Sequence, residues 1–562
     1  MNQKPKLSYR EVLGWLLIGI SVIMLSKSLM LCFSNDIWYD ELFTVGMIEH
    51  SYGDLIAFTA RDVHPPLYYC IVKFAVELCK LILPQASTVV IAKIVSVLPY
   101  FILLLYSVTF IRKRFGIFTG GVFLFCVISM PQLSAYTVEV RMYSWALLFV
   151  TAAFLHAYGI VTGDADIELC KLGDSESDVV SREMVHDSNH NRKVSSKQRL
   201  HIAALVLYGL AVAYTQYFAC VAVIMVYLYV LVVFFIKDRK RIRLWFVCVA
   251  ISIVGYAPWL YALYQQITAV RENYWILPVS WRTFGGCVKF LMKPAFTHEM
   301  LNVVLAVLLF VVYIFVFLHE AIKLCHNDRV LRKRTNINCN RQQQMTRQWN
   351  DFTFITAGIG VLVGLVLFGF TASILFRPIF VYRYMIPALG CFWLSFAVGL
   401  DRMAEGITRK AVASIIGVLV LLIGLRDYRA FMGEEEYKAL QMEYTSEAFH
   451  GIGVKDILIF NFDQVQMVTG YYLDNDSYLW YGQPEELIQE ICGSKSSLNE
   501  DTAKIKEWLL QGSKVWFIGS FNSREDIVEG WRTEGLRIEE VWMGSYLLER
   551  YWFNLYKLSI DE

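Results

Sequence analysis

Long apolar runs recur through the first three quarters of the chain, and they leave it few ways to fold. The first covers about Val12 to Phe33. Others follow at about 88–111, 116–134, 143–162, 201–218, 219–236, 244–262, 301–319, 352–376, 384–400 and 411–425. An α-helix needs about 20 apolar residues to cross the hydrocarbon core of a bilayer, so these runs read as about eleven transmembrane helices. Composition agrees, since 56% of the 562 residues are hydrophobic and 15% aromatic, more than soluble domains carry. The first run has no small-x-small cleavage signal before Trp38 and reads as a retained anchor. A net charge of only +2 gives no reason to expect nucleic acid as a partner. The 12 cysteines show no CxxC and no paired spacing, against both a disulfide framework and a zinc knuckle.

Side assignment turns on Pro65 to Leu83, which is apolar but carries Lys73, Glu77 and Lys80. Lys73 and Glu77 stand one helical turn apart, a charged stripe that suits a helix lying in the interface. With that segment outside, Arg112-Lys113-Arg114, the run from Lys237 to Arg243, the basic loop 320–350 and Arg409-Lys410 all fall on one side. The positive-inside rule makes that side cytoplasmic. The N-terminus is then cytoplasmic, residues 34–87 form one external loop with two interfacial helices, and 163–200 is a charged cytoplasmic loop. Residues 1–427 form the membrane module. From about Tyr428 the composition becomes that of a soluble protein. Asp456 to Phe460 and Lys514 to Gly519 read as buried strands, 463–473 and 499–511 as helices, and 537–547 and 550–559 as strand-like runs. Residues 428–562 are therefore expected to form a small extracytoplasmic α/β domain. Gly358, Gly360 and Gly364 sit in an apolar run, where close helix packing explains them better than a nucleotide loop does.

This topology gathers Asp40, Glu41, His64, Glu139, Arg141, Arg377, Arg383 and Tyr384 at the external ends, with Tyr274-Trp275 in the external loop 263–300. The mid-membrane stretches carry almost nothing ionisable, unlike a coupled transporter, which places acids and bases near the midplane. A carboxylate such as Asp40 can take a proton from an incoming hydroxyl. Arginine suits a departing phosphate because its planar guanidinium binds phosphate oxygens in pairs, and Arg141, Arg377 and Arg383 are the candidates. Each arginine alone reads equally well as a headgroup anchor. His64, before Pro65-Pro66, is either a helix cap or a substrate contact, and Tyr274-Trp275 either belt aromatics or a sugar platform.

Four blocks then carry a family resemblance: Trp38-Tyr39-Asp40-Glu41, Asp62-Val63-His64-Pro65-Pro66-Leu67-Tyr68-Tyr69, Tyr136-Thr137-Val138-Glu139-Val140-Arg141-Met142-Tyr143, and Arg383-Tyr384-Met385-Ile386-Pro387. In order and spacing, over roughly residues 10 to 400, the chain resembles the GT-C superfamily of polytopic glycosyltransferases. Within it, the likeness is to the family 39-like group that includes bacterial aminoarabinose transferases and protein O-mannosyltransferases. Val138 and Val140 depart from the Gln and Ala usual in the third block. The resemblance implies an enzyme of the cell membrane that takes a sugar from a polyprenyl-phosphate donor on the outer face and transfers it with inversion. The acceptor would be an envelope glycan, lipid or protein. Asp40 would be the base and Glu41 the neighbouring acid that helps bind a substrate. Arg141, Arg377 and Arg383 would hold the phosphate, with His64, Glu139, Tyr384, Tyr274 and Trp275 as substrate contacts. Some branches of the family are metal-assisted, so a divalent cation is an open expectation, although the sequence offers no strict ligand cluster. Two other classes compete: a transporter or flippase of a lipid-linked sugar, and a non-catalytic glycan-binding scaffold.

Overall fold

The computed structural model describes residues 8–163, 195–269, 276–332, 339–403, 407–473, 477–480, 487, 490–491, 496–497, 501–541 and 544–560. Among these, nine helical stretches are long and apolar enough to cross a membrane: Tyr9–Leu31, Thr88–Phe115, Tyr143–Thr162, Tyr217–Lys237, Arg239–Thr268, Glu299–His319, Met345–Leu375, Tyr382–Met403 and Lys410–Phe449. The protein is a multi-pass membrane protein. Two of the eleven expected spans fall short of that test. Ile117–Ser129 has only 13 residues, and Ser196–Ala213 opens with the polar stretch Ser-Lys-Gln-Arg. Tyr143–Thr162 and Tyr382–Met403 are buried almost throughout and form the middle of the bundle, as befits helices apolar on every side.

Small residues let the helices approach closely. Tyr9–Leu31 crosses Ile117–Ser129 backbone to backbone, for a Cβ on Gly14 would lie 2.7 Å from the Ile117 carbonyl and one on Gly121 would lie 2.5 Å from that of Gly14. In a bilayer, where burial gives little drive for helices to associate, such contacts do much of the holding. Gly358 lies against the Cys391 carbonyl in the same way and Gly364 against the Met225 side chain, whereas Gly360 faces open space. Gly121→Val, adding volume against fixed backbone, is expected to lower the melting temperature by several degrees, from an overpacking cost of about 1–3 kcal/mol. Gly360→Val is expected to leave it unchanged. Equal melting temperatures for the two variants would remove the glycine crossing from this account.

The loop between the first two spans holds three helices rather than the expected two: Tyr39–Glu49, Tyr52–Arg61 and Leu67–Ile82. The extra one comes from Ser51, whose hydroxyl oxygen accepts from the Asp54 N–H at 3.2 Å and starts a new helix only two residues after the last. Leu67–Ile82 turns Tyr68, Tyr69, Val72 and Val76 inward and Phe74, Leu78, Leu81 and Ile82 outward. Lys73 and Glu77 pair at 2.8 Å along its side. This is the pattern of a helix lying in an interface.

The helix Ile407–Phe449 runs unbroken through residue 428, where the composition changes, and delivers the chain to a seven-stranded sheet. Its strands are β1 (Ile457–Phe460), β2 (Ser477–Trp480), β3 (Ser496–Ser497), β4 (Val515–Ser520), β5 (Arg537–Glu540), β6 (Tyr546–Leu548) and β7 (Tyr551–Ser559), in the order β3-β2-β1-β4-β7-β5 with β6 also on β7. The β3-β2-β1-β4 part is parallel, and β7 runs antiparallel to β4, β5 and β6. Alternate residues of a strand face opposite ways, and here the two faces meet different things. Ile457, Ile459, Val515 and Phe517 pack under the helices Thr502–Leu510 and Ser523–Thr533, against Ile505, Val528 and Trp531. Leu458, Phe460, Trp516 and Ile518 share a core with Ile37, Leu42, Val45 and Val89 of the membrane part. The sheet is thus bolted to the loop that carries Asp40.

Candidate active site

The helix Tyr39–Glu49 starts where Glu41 reaches back, its carboxylate accepting from the Trp38 N–H at 3.2 Å. The other Glu41 oxygen accepts from the Val140 N–H at 2.8 Å, and Thr44 donates to the Val140 carbonyl at 3.1 Å. Glu41 is therefore a buried clasp between the first block and the third. Asp40, one residue earlier, has a fifth of its side chain exposed. Arg383 donates to its Oδ2 at 3.0 Å. Arg141 Nη1 donates to the Asp40 backbone carbonyl at 3.0 Å, and its Nε stands 4.0 Å from Oδ2. Arg141 is almost wholly buried and Arg383 is about a quarter exposed, so one guanidinium is fixed behind Asp40 and the other is partly open to solvent.

The second block joins through Asp62, whose Oδ2 lies 2.9 Å from His64 Nδ1. Burial pushes the Asp62 carboxyl up, but His64, the Val63 N–H and Arg141 together bring it below its ordinary value. Burial raises Glu139, opposed first by Arg550. Burial and the neighbouring Glu139 push Glu41 up to about 7, against the pull of Lys93, the Val140 N–H and Arg550. In the unfolded chain Glu41 titrates near its ordinary 4.5. The folded protein thus holds the extra proton between about 4.5 and 7, and the Glu41 contribution to stability falls as pH rises through that window, then levels off. Glu41→Gln is expected to flatten the melting temperature between about pH 5 and pH 7, a change of a few degrees. An unchanged slope would show that Glu41 is not the titrating group.

Of the ten candidates from the sequence, Asp40, Arg141 and Arg383 come together directly. Glu41 and Glu139 lie behind them and His64 joins through Asp62. Tyr384 is buried, its ring stacked on Phe218 with centroids 4.6 Å apart, and lies next to Arg383 in the chain. Arg377 is not brought to Asp40 by any contact among the described residues. Tyr274 and Trp275 lie outside the described residues. Among the described residues no three His, Cys, Asp or Glu side chains converge as metal ligands, and beside Asp40 the positive charge is supplied by guanidinium groups.

Reading the sequence missed several groups around Asp40. The Tyr143 hydroxyl, the Trp38 indole N–H and the Nε atoms of Arg141 and Arg383 are buried without a hydrogen-bond partner. The Tyr69 hydroxyl lies close to Arg141 and Asp62. Trp38, Tyr69 and Tyr143 stand in the blocks quoted above, and their place there was the available signal. Arg550 and Tyr551, from the opposite end of the chain, also reach the site. The Arg550 guanidinium lies 3.8 Å from the Trp38 ring centroid, and Tyr551 is close enough to Asp40 for the carboxylate to oppose its ionisation. Nothing in the tail sequence marks either residue.

No family model matches the sequence, and no curated protein sequence matches it. Solved structures do. ArnT from Cupriavidus metallidurans in the apo state superposes with a TM-score of 0.52 at 11% identity, over 97% of this chain and 98% of that one. The same protein bound to undecaprenyl phosphate gives 0.47 at 13% identity, over 98% of each chain. The archaeal oligosaccharyltransferase AglB from Archaeoglobus fulgidus gives 0.41 at 11% identity, over 91% of this chain and 70% of that one. The apo ArnT comparison, at such low identity, speaks to fold alone. Over nearly all of its length the chain has the fold of ArnT, and its residue blocks resemble those of the GT-C superfamily.

Proposed function

We propose that the protein transfers a sugar from a polyprenyl-phosphate carrier to an acceptor hydroxyl, with inversion, at the outer face of the membrane. The observation that carries this reading is the excess of donors around one carboxylate. The Nε–H groups of the two arginines paired with Asp40, the hydroxyl of Tyr143, whose ring lies 6.0 Å from the Arg383 guanidinium, and the indole N–H of Trp38 are all buried without a hydrogen-bond partner. Buried donors left unpaired are costly, so the site suits a ligand rich in oxygen and negative charge. A sugar phosphate supplies both.

In this reading Asp40 accepts the proton of the incoming hydroxyl as its oxygen attacks the anomeric carbon, and the bond to the carrier phosphate breaks on the opposite face. Arg383 and Arg141 receive the charge that develops on the departing phosphate. Two guanidinium groups flank the Asp40 carboxylate, Arg383 at 3.0 Å and Arg141 at 4.0 Å from Oδ2. Glu41 is a positioning residue that fixes the Asp40 helix against the third block. Arg377, His64, Glu139 and Tyr384, with Tyr274 and Trp275, complete the proposed substrate contacts. The N-terminus lies in the cytoplasm and the sheet outside, where an envelope glycan, lipid or protein is met. A flippase would need ionisable groups along its path, whereas these groups crowd one end of the bundle.

The test is to incubate the purified protein in lipid with radiolabelled polyprenyl-phosphate hexoses and an envelope extract, and to follow release of polyprenyl phosphate. Release with label appearing on an extract component is expected. Absence of release across several donor sugars would move the weight to transport or scaffolding.

A further inference from the structure

The turn between β6 and β7 carries Glu549 and Arg550 to the rim of the site, more than 500 residues from Asp40 in sequence. Glu549 holds a positive φ of 52°, a conformation that costs a non-glycine residue about 1 kcal/mol or more. It is kept there by its own side chain, whose Oε1 accepts from the Ile37 N–H at 3.3 Å and from the Tyr472 hydroxyl at 2.5 Å. The next residue is exposed, yet its guanidinium is laid over Trp38, two residues before Asp40. None of the ion pairs formed among the described residues involves Arg550. Arg141 and Arg383, by contrast, both pair with Asp40. The site therefore has two kinds of cation: a pair engaged with the catalytic carboxylate, and Arg550 on the rim, stacked on an aromatic face, near enough to Glu139 and Glu41 for its charge to act on them but in no ion pair among the described residues.

The geometry points to Arg550 as a specificity residue that binds an anionic group, a phosphate or a carboxylate, carried by the acceptor near the hydroxyl that reacts. This rests on the glycosyl-transfer reading above. Stacking on Trp38 fixes the plane of the guanidinium and leaves its in-plane donors for a bidentate contact. An anion held there is set over Trp38, with Asp40 on the first turn of the helix that Trp38 caps and Tyr551 next to Arg550 in the chain. Placed so, it distinguishes acceptors by charge without competing for the arginines that the donor phosphate needs.

Arginine-specific labelling with phenylglyoxal, read residue by residue by mass spectrometry on the full chain in lipid nanodiscs, tests this. The probes are glycerol 1-phosphate, glycerate and neutral glycerol at matched ionic strength, and separately a short polyprenyl phosphate. Glycerol 1-phosphate or glycerate is expected to slow labelling of Arg550 by about tenfold, and glycerol to leave it unchanged. Which anion protects tells the class of group bound. Polyprenyl phosphate is expected to protect Arg383 and leave Arg550 reactive. Protection of Arg550 by neither anion overturns the proposal, as does protection by polyprenyl phosphate, which would put Arg550 in the donor clamp. Trp38→Leu, which keeps Arg550 but removes the ring beneath it, is expected to reduce the anion protection by several-fold. Labelling needs no turnover, so the anion subsite and the transfer reaction stand or fall separately.

Discussion

Asp40→Asn is expected to slow sugar transfer by about 10³-fold while binding the polyprenyl-phosphate donor as tightly as the wild type, or more tightly. Asn keeps an oxygen where Arg383 donates at 3.0 Å, so the local geometry has a substitute, but it cannot accept the proton of an attacking hydroxyl. It also removes the negative charge that Arg141 and Arg383 now share, which leaves both guanidinium groups to the donor phosphate. Loss of kcat with donor KM held or lowered is the signature of a base. A variant that lost donor affinity and turnover together, or one that turned over like the wild type, would take Asp40 out of that role. The melting temperature is expected to move only a few degrees, because the Asp40 side chain is partly open to solvent.

Arg141 and Arg383 are expected to part company on substitution, although both touch Asp40. Arg141→Met withdraws a buried cation from the Asp40 carbonyl and from the neighbourhood of Asp62 and Tyr69. Breaking one side of a buried charge cluster costs about 3–5 kcal/mol, so this variant is expected to lose its fold and its turnover together. Arg383→Ala removes a guanidinium that is partly open to solvent, and is expected to cost about 10²-fold in kcat/KM with a small change in melting temperature. Thermal unfolding and turnover measured on the same purified samples separate the two. If Arg383→Ala proved the less stable variant, the division into a fixed guanidinium behind and a working one in front would be wrong.

Much of this arrangement was legible in the sequence, and the reasons for the rest are physical. The run 143–162 was readable to the residue because Met142 and Gly163 frame twenty uninterrupted helix residues. The first block stood out less for its two acids, which beside a membrane helix are usually just solvated, than for the other polar clusters that fall on the same side of the membrane. The helix Ser523–Thr533 was missed because only Val528 and Trp531 of its eleven residues are buried, too few to display a period. β3 is only two residues long, too short for a pattern to mark, and β2, though as long as β1, lacks its unbroken apolar run, reading Ser-Tyr-Leu-Trp where β1 reads Ile-Leu-Ile-Phe. The additional helix of the first loop, Tyr52–Arg61, was hidden because only two residues, His50 and Ser51, separate it from Tyr39–Glu49. The sharing of Asp40 between Arg141 and Arg383 was readable only as a tendency, because 343 residues separate Asp40 from Arg383. The contribution of Arg550 was not readable at all, since it depends on a turn conformation held by Ile37 and Tyr472.

The core that Ile37, Leu42, Val45 and Val89 share with the sheet also sets an order in time. Ile37 and its partner Glu549 are 512 residues apart, and at about 5–20 residues per second a ribosome needs tens of seconds to make the stretch between them. During that interval the first loop is already made, its apolar side chains uncovered and Trp38 lacking the cation that will cover it. A chain released early therefore holds the carboxylate and both inner arginines but neither the sheet nor the rim. Completion of β6 and β7 closes the core around the loop, so each molecule gains a finished site only once those strands have been made.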